Sequence, residues 1–125
     1  MHLTQIAQHA DDLDRAEAFY TELLGAPAAA RFDPPGLLFF ELDGTRLLLD
    51  RAAPSALIYL RVTGIHLRIE ELQASGVAIE NEPSVIFSHE DDRLGPANSD
   101  EWQAFIRDSE GNLVALVEQV PQSEP

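Results

Sequence analysis

Residues 3–10 form a short mixed run of apolar and polar positions that predicts a strand. At Asp11-Asp12 the period changes. Ala16, Phe19, Tyr20, Leu23 and Leu24 recur at helical spacing, either aspartate can cap the free N–H groups, and Asp14 adds favourable charge to the first turn. Gly25 followed by Pro27 predicts the stop. Residues 28–32 predict a strand, Pro34-Pro35-Gly36 a turn, and residues 37–42 and 45–49 two strands around the hairpin dipeptide Asp43-Gly44. The pattern then restarts. Residues 56–62 predict a strand, and Ile65, Leu67, Ile69 and Leu72 a helix that ends at Gly76. Residues 77–79, 84–88, 102–107 and 113–120 predict strands, the last two joined by the turn Ser109-Glu110-Gly111-Asn112. The polar segment 90–100, with Gly95-Pro96, reads as a loop.

This repetition is the most informative feature of the chain. Residues 6–25 and 58–76 share one design, a strand, a short polar step, a helix and a glycine; residues 39–49 and 104–116 share another, an aromatic strand, a glycine turn and an apolar strand. The expected fold is α+β: two βαβββ modules, about 1–52 and 55–121, forming one domain over 1–121, with 122–125 a flexible tail. Each module has one helix to cover one sheet face. The uncovered faces are expected to form a curved mixed sheet around a cleft, a natural ligand site.

Composition narrows the chemistry. The chain has no cysteine, which removes disulfides, thiolate metal sites and a thiol nucleophile. All 8 basic residues are arginine, so lysine Schiff-base and P-loop chemistry are excluded too. The net charge of -14 repels phosphate backbones and anionic lipid, so neither a nucleic acid nor a membrane is expected as partner. Neither a leader nor a spanning segment is read from the chain, so a cytoplasmic location is expected.

The order of motifs resembles the vicinal oxygen chelate superfamily, the glyoxalase, bleomycin-resistance and extradiol dioxygenase group. The resembling stretches are Gln5-Ile6-Ala7, Asp12-Leu13-Asp14-Arg15-Ala16, Ala18-Phe19-Tyr20 and Leu23-Leu24-Gly25. Phe39-Phe40, Gly44-Thr45-Arg46-Leu47-Leu48-Leu49, Tyr59-Leu60-Arg61-Val62, Glu101-Trp102 and Ala104-Phe105 follow. Asp108-Ser109-Glu110-Gly111-Asn112-Leu113 resembles the family's D-P-D-G-N turn, with Ser109 in place of proline. The resemblance implies a glyoxalase-like fold and a homodimer, with module pairing within or between chains left open. It also implies four metal ligands, two per module. Carried over by position, these fall on Gln5, Leu48, Leu57 and Ala115, of which only Gln5 could ligate. A one-residue shift gives Leu49 and Val114 or Leu116, no better; Asp50 and Glu118 would need a differently placed site.

Strand alternation selects the candidate ligand-binding residues. If Gln5 faces the cleft, so does His9, and the matching strand presents Tyr59 and Arg61. His89 sits before the polar loop, and Trp102, beside it, is read equally as a ligand wall or as core. His9 as a hydrogen-bonded strand residue and Arg61 as half of an ion pair are the competing readings. Asp11, Asp12 and Asp14 fit helix capping better than calcium binding.

Three functions follow. The first is a metal-independent protein that binds a small organic molecule, cationic and aromatic, with no cofactor. The second is a metal-dependent lyase, isomerase or dioxygenase with a relocated divalent metal on Gln5, His9, His89 and Glu118. The third is a partner domain with a filled cleft.

Overall fold

In the computed structural model, residues 1–123 are described, in the order β1 (Gln5–His9), α1 (Leu13–Leu24), β2 (Ala30–Phe32), β3 (Leu37–Leu42), β4 (Thr45–Asp50), β5 (Ile58–Arg61), α2 (Ile65–Ala74), β6 (Ile79–His89), β7 (Ser99–Arg107) and β8 (Leu113–Pro121). This is βαβββ twice, an α+β fold. Each module makes a four-stranded mixed sheet, ordered β1-β4-β3-β2 and β5-β8-β7-β6, in which only the first pair is parallel. The backbone divides into two compact units, Met1–Leu57 with Asp108–Asn112, and Ile58–Arg107 with Leu113–Pro125. The last hairpin turn belongs to the first unit. No helix among the described residues is long and apolar enough to cross a membrane.

In the first unit α1 forms where its signals predict. Asp12 is the N-cap and accepts from Arg15 N–H at 3.0 Å, and Gly25 ends the helix in the left-handed region at φ 72°. Leu13, Ala16 and Tyr20 bury one face of α1; Leu38, Phe40, Leu47 and Leu49 are buried on the sheet. The Tyr20 hydroxyl donates to Asp108 Oδ2 at 2.6 Å. Burial, then the Asp108 charge, pushes this phenol above its usual range, so it stays a donor. Glu110, in the same turn, accepts from the N–H groups of Asp11 and Asp12 and from Arg15 Nε at 2.7 Å. Burial alone would raise its pKa, but Arg15, the Asp12 N–H and the Ser109 hydroxyl outweigh it and hold the carboxyl at about 2.

In the second unit Ile65, Ile69 and Leu72 of α2, spaced i, i+4, i+7, are buried, as are Ile58, Ala104, Ile106, Val114 and Leu116. Leu67 is exposed. The helix has no cap of its own: Gly64 occupies that position, and Glu118 of β8 accepts from the N–H groups of Gly64 at 2.7 Å and Ile65 at 3.0 Å.

Several boundaries differ from expectation. The two short strands expected at 77–79 and 84–88 are one irregular edge strand, β6, with register shifts around Pro83. An edge tolerates proline because one row of N–H groups has no ladder partner. β7 begins at Ser99, three residues early, because Ser99 pairs with both His89 and Pro121. β5 begins at Ile58, two residues late, which leaves Leu57 exposed before it. Pro121 lies within β8, and Gln122 N–H donates to Asn98 O at 2.9 Å. The tail expected at 122–125 therefore begins with a bonded residue; residues 124–125 lie outside the described residues.

Two predictions follow from the first unit. Tyr20→Phe removes a buried hydrogen bond to a carboxylate that keeps three other donors, and is expected to cost about 1–2 kcal/mol, read as a lower urea midpoint at unchanged m-value. Because the Glu110 pKa is depressed in the fold, its contribution is present above the unfolded value of 4.5 and is lost as pH falls through about 2. Glu110→Gln should therefore cost about 3 kcal/mol near pH 7 and much less below about pH 3, measured by urea unfolding across that range.

Candidate functional site

Register assigns the uncovered face of each sheet. In the second unit Tyr59 pairs with Ala115, Phe105 with Ala115, Gln103 with Val117 and Glu101 with Gln119. These side chains share the face opposite α2. Tyr59 and Phe105 meet edge-to-face at 6.3 Å. Tyr59, Arg61, Glu101, Gln103, Val117 and Gln119 line a hollow of about 250 Å³. Tyr59 and Arg61 are thus brought together as expected.

Glu101 organises this face. It is 8% exposed, and its two oxygens accept from His89 Nε2 at 3.0 Å, Gln119 Nε2 at 3.1 Å and Gln103 Nε2 at 2.8 Å. Burial opposes its charge, yet the bonds from Gln119, Gln103 and His89 prevail and hold its pKa below the usual carboxylate range. A carboxylate only accepts, so His89 carries its proton on Nε2, and both glutamine amides turn their nitrogens inward. Their carbonyl oxygens are left as acceptors. His89 is buried beneath Phe87, ring to ring at 4.4 Å, and also lines a second hollow of about 440 Å³ with residues 87–91, 93 and 94.

Glu101, Gln103 and Gln119 escaped the sequence reading because each looks like an ordinary polar strand residue. The signal was present in the hairpin: counting back from the turn at 109–112 sets Glu101 opposite Gln119. The same count corrects Trp102. It shares a face with the buried Ala104 and Ile106, and packs edge-on against His66 of α2 at 4.7 Å. Trp102 therefore does not wall a ligand site on the face of Glu101. Glu118 is also on the α2 side, where it caps that helix.

In the first unit Gln5 pairs with Arg46, Ala7 with Leu48 and His9 with Asp50 on the face opposite α1. His9 Nε2 bonds Asp11 Oδ1 at 2.8 Å, and this contact, against some desolvation, raises the imidazole pKa. The competing reading of His9 as a hydrogen-bonded strand residue thus describes its contacts. Gln5 Oε1 accepts from Arg46 Nε at 3.0 Å.

The residues at the implied ligand positions do not fit a divalent metal. Leu48 is buried between Ala7 and Phe39, Ala115 is buried between Tyr59 and Phe105, and Leu57 is exposed hydrocarbon. The amide oxygen of Gln5 already faces a cation. Among the described residues no group of three or more His, Asp or Glu side chains is arranged to hold an ion.

Among curated proteins, none matches this chain in sequence. Solved structures do match in fold. TnmS3, an antibiotic binding protein from Streptomyces sp. CB03234, is 23% identical with a TM-score of 0.69, over 95% of this chain and 96% of that one. Lactoylglutathione lyase from Agrobacterium tumefaciens is 23% identical with a TM-score of 0.62, over 94% and 92%. A glyoxalase/bleomycin resistance protein/dioxygenase from Alicyclobacillus acidocaldarius is 18% identical with a TM-score of 0.66, over 94% and 91%. At these identities the likeness concerns fold alone. The family model of the Glyoxalase/Bleomycin resistance protein/Dioxygenase superfamily matches residues 2–116, a span that takes in both βαβββ modules up to the middle of β8, and the chain belongs to that superfamily.

Proposed function

We propose that this protein binds a small organic molecule without a metal, using the uncovered face of the second sheet. The observation that carries the reading is Glu101, a buried carboxylate whose three donors preorganise the floor of a hollow lined by Tyr59, Arg61, Gln103 and Gln119. Rigid polar groups beside an aromatic wall are the usual construction of a ligand pocket. The free carbonyl oxygens of Gln103 and Gln119 suit N–H or O–H donors on the ligand, and Arg61 suits an acceptor or an acid beside them. Hydrocarbon at Leu48, Leu57 and Ala115 supports the metal-free part of the reading. The fold is shared with TnmS3, an antibiotic binding protein, which is in keeping with a small-molecule ligand here. The relocated metal set loses support because Glu118 caps α2 on the face away from His89.

Elemental mass spectrometry on protein incubated with Zn, Ni, Mn and Fe(II) should find substoichiometric metal; one tightly held ion per chain would overturn the metal-free reading. A thermal-shift panel of small organic molecules should give hits, since a ligand at a hundred times its dissociation constant adds about 2.7 kcal/mol. Arg61→Ala and Gln103→Ala should diminish those hits; a panel without hits counts against the reading. Glu101→Leu strands the buried donor of His89 and the part-buried donors of Gln103 and Gln119 and should cost about 3 kcal/mol in urea, whereas Glu101→Gln, which keeps an acceptor, should cost about half that.

A further inference from the structure

The arginines of this chain fall into two groups. Arg15, Arg31, Arg51, Arg68, Arg93 and Arg107 each lie within 4.0 Å of a carboxylate, as expected where 22 acidic residues surround 8 arginines. Among the described residues Arg46 and Arg61 have no such partner. Arg61 belongs to the hollow already described. Arg46 is on the uncovered face of the first sheet and carries a separate argument, which does not rest on the function proposed above.

The isolation of Arg46 from acid is built in. Its register partner on β3 is Glu41, and an opposite charge directly across a strand pair ordinarily forms an ion pair. Glu41 instead accepts from Gly44 N–H at 2.7 Å in the adjoining turn. The neutral oxygen of Gln5 takes the place of a carboxylate at Arg46 Nε, at 3.0 Å, and the guanidinium carbon lies 5.9 Å from the Phe39 ring centre. A neutral acceptor fixes the fork without cancelling its charge. Gln5, Ala29, Ala30, Phe32, Phe39 and Arg46 line a hollow of about 300 Å³. Phe32 and Phe39 meet edge-to-face there at 6.1 Å, and Phe32 is half exposed.

We propose that this hollow is a binding site for a small aromatic carboxylate, its acid group on the free Nη atoms of Arg46 and its ring against Phe32 and Phe39. The planar fork matches a carboxylate with two parallel N–H···O bonds, and the aromatic lining matches the ring. The overall charge of -14 disfavours anions elsewhere on the surface, which makes an acid-free arginine in an apolar hollow the more selective feature.

The test is calorimetric titration of the intact protein with 2-naphthoate and with uncharged 2-naphthamide, alongside amide chemical-shift mapping. Naphthoate should bind, shift residues 29–32 and 39, and bind at least about tenfold more tightly than naphthamide, the equivalent of 1.4 kcal/mol. Arg46→Gln should remove that preference, Gln5→Ala should weaken it by releasing the guanidinium, and Arg68→Gln should leave it intact. Melting curves establish that each variant folds; Arg46 and Gln5 are exposed, so both should. The proposal is overturned by no naphthoate binding, by equal binding of acid and amide, or by an unchanged preference in Arg46→Gln. It is also overturned if shifts map to the second sheet and Arg61→Gln, not Arg46→Gln, abolishes binding.

Discussion

Asp108 accepts four hydrogen bonds while buried: the Tyr20 hydroxyl and Asn112 Nδ2 on one oxygen, the N–H groups of Glu110 and Asn112 on the other. Those bonds shape the turn at 108–112, and much of the first unit is built on that turn. With the turn fixed, Glu110 reaches the N–H groups that open α1 and the side chain of Arg15. Asn112 uses its remaining amide hydrogen on His9 O at 2.7 Å, which secures the end of β1. The strand that carries Gln5 and His9 and the helix that covers its other face thus share one carboxylate as anchor. A chain without cysteine reaches this cross-linking through polar contacts between residues about ninety to a hundred positions apart.

On the uncovered faces Leu48 lies beside Phe39 and Ala115 beside Phe105, and the polar groups around this hydrocarbon are held by one another. On one sheet a carboxylate gathers an imidazole and two amides; on the other an amide holds a guanidinium. Both arrangements fix side-chain orientation before any ligand arrives, which lowers the ordering cost of binding.

What was legible in the sequence was what depends on neighbours in the chain. The cap, apolar spacing and glycine stop of α1 are all local, and the hairpins around Asp43-Gly44 and 109–112 announce themselves. The length of β6 was not legible, because Pro83 and a polar stretch resemble a break when the strand's position at the sheet edge is unknown. Alternation puts Tyr59 and Arg61 on one face, and they line one hollow; His89, a candidate for its place before the polar loop, reaches that face through Glu101. Trp102 reads equally as ligand wall or core from its place beside the loop, and its parity with Ala104 and Ile106 decides for the face of α2. The roles of Glu101 and Glu118 arise from pairing across strands or from strand to helix, and no local signal distinguishes a buried organiser from a solvated acid.

The borrowed cap of α2 bears on the order in which the chain folds. A helix with its own N-cap, such as α1, can begin a first turn from adjacent residues. The start of α2 is satisfied by Glu118, more than fifty residues downstream. Nucleation of α2 is thereby coupled to the docking of β8 beside β5, a closure of high contact order. A chain emerging from the ribosome would hold the first helix as a nascent element well before the second could persist.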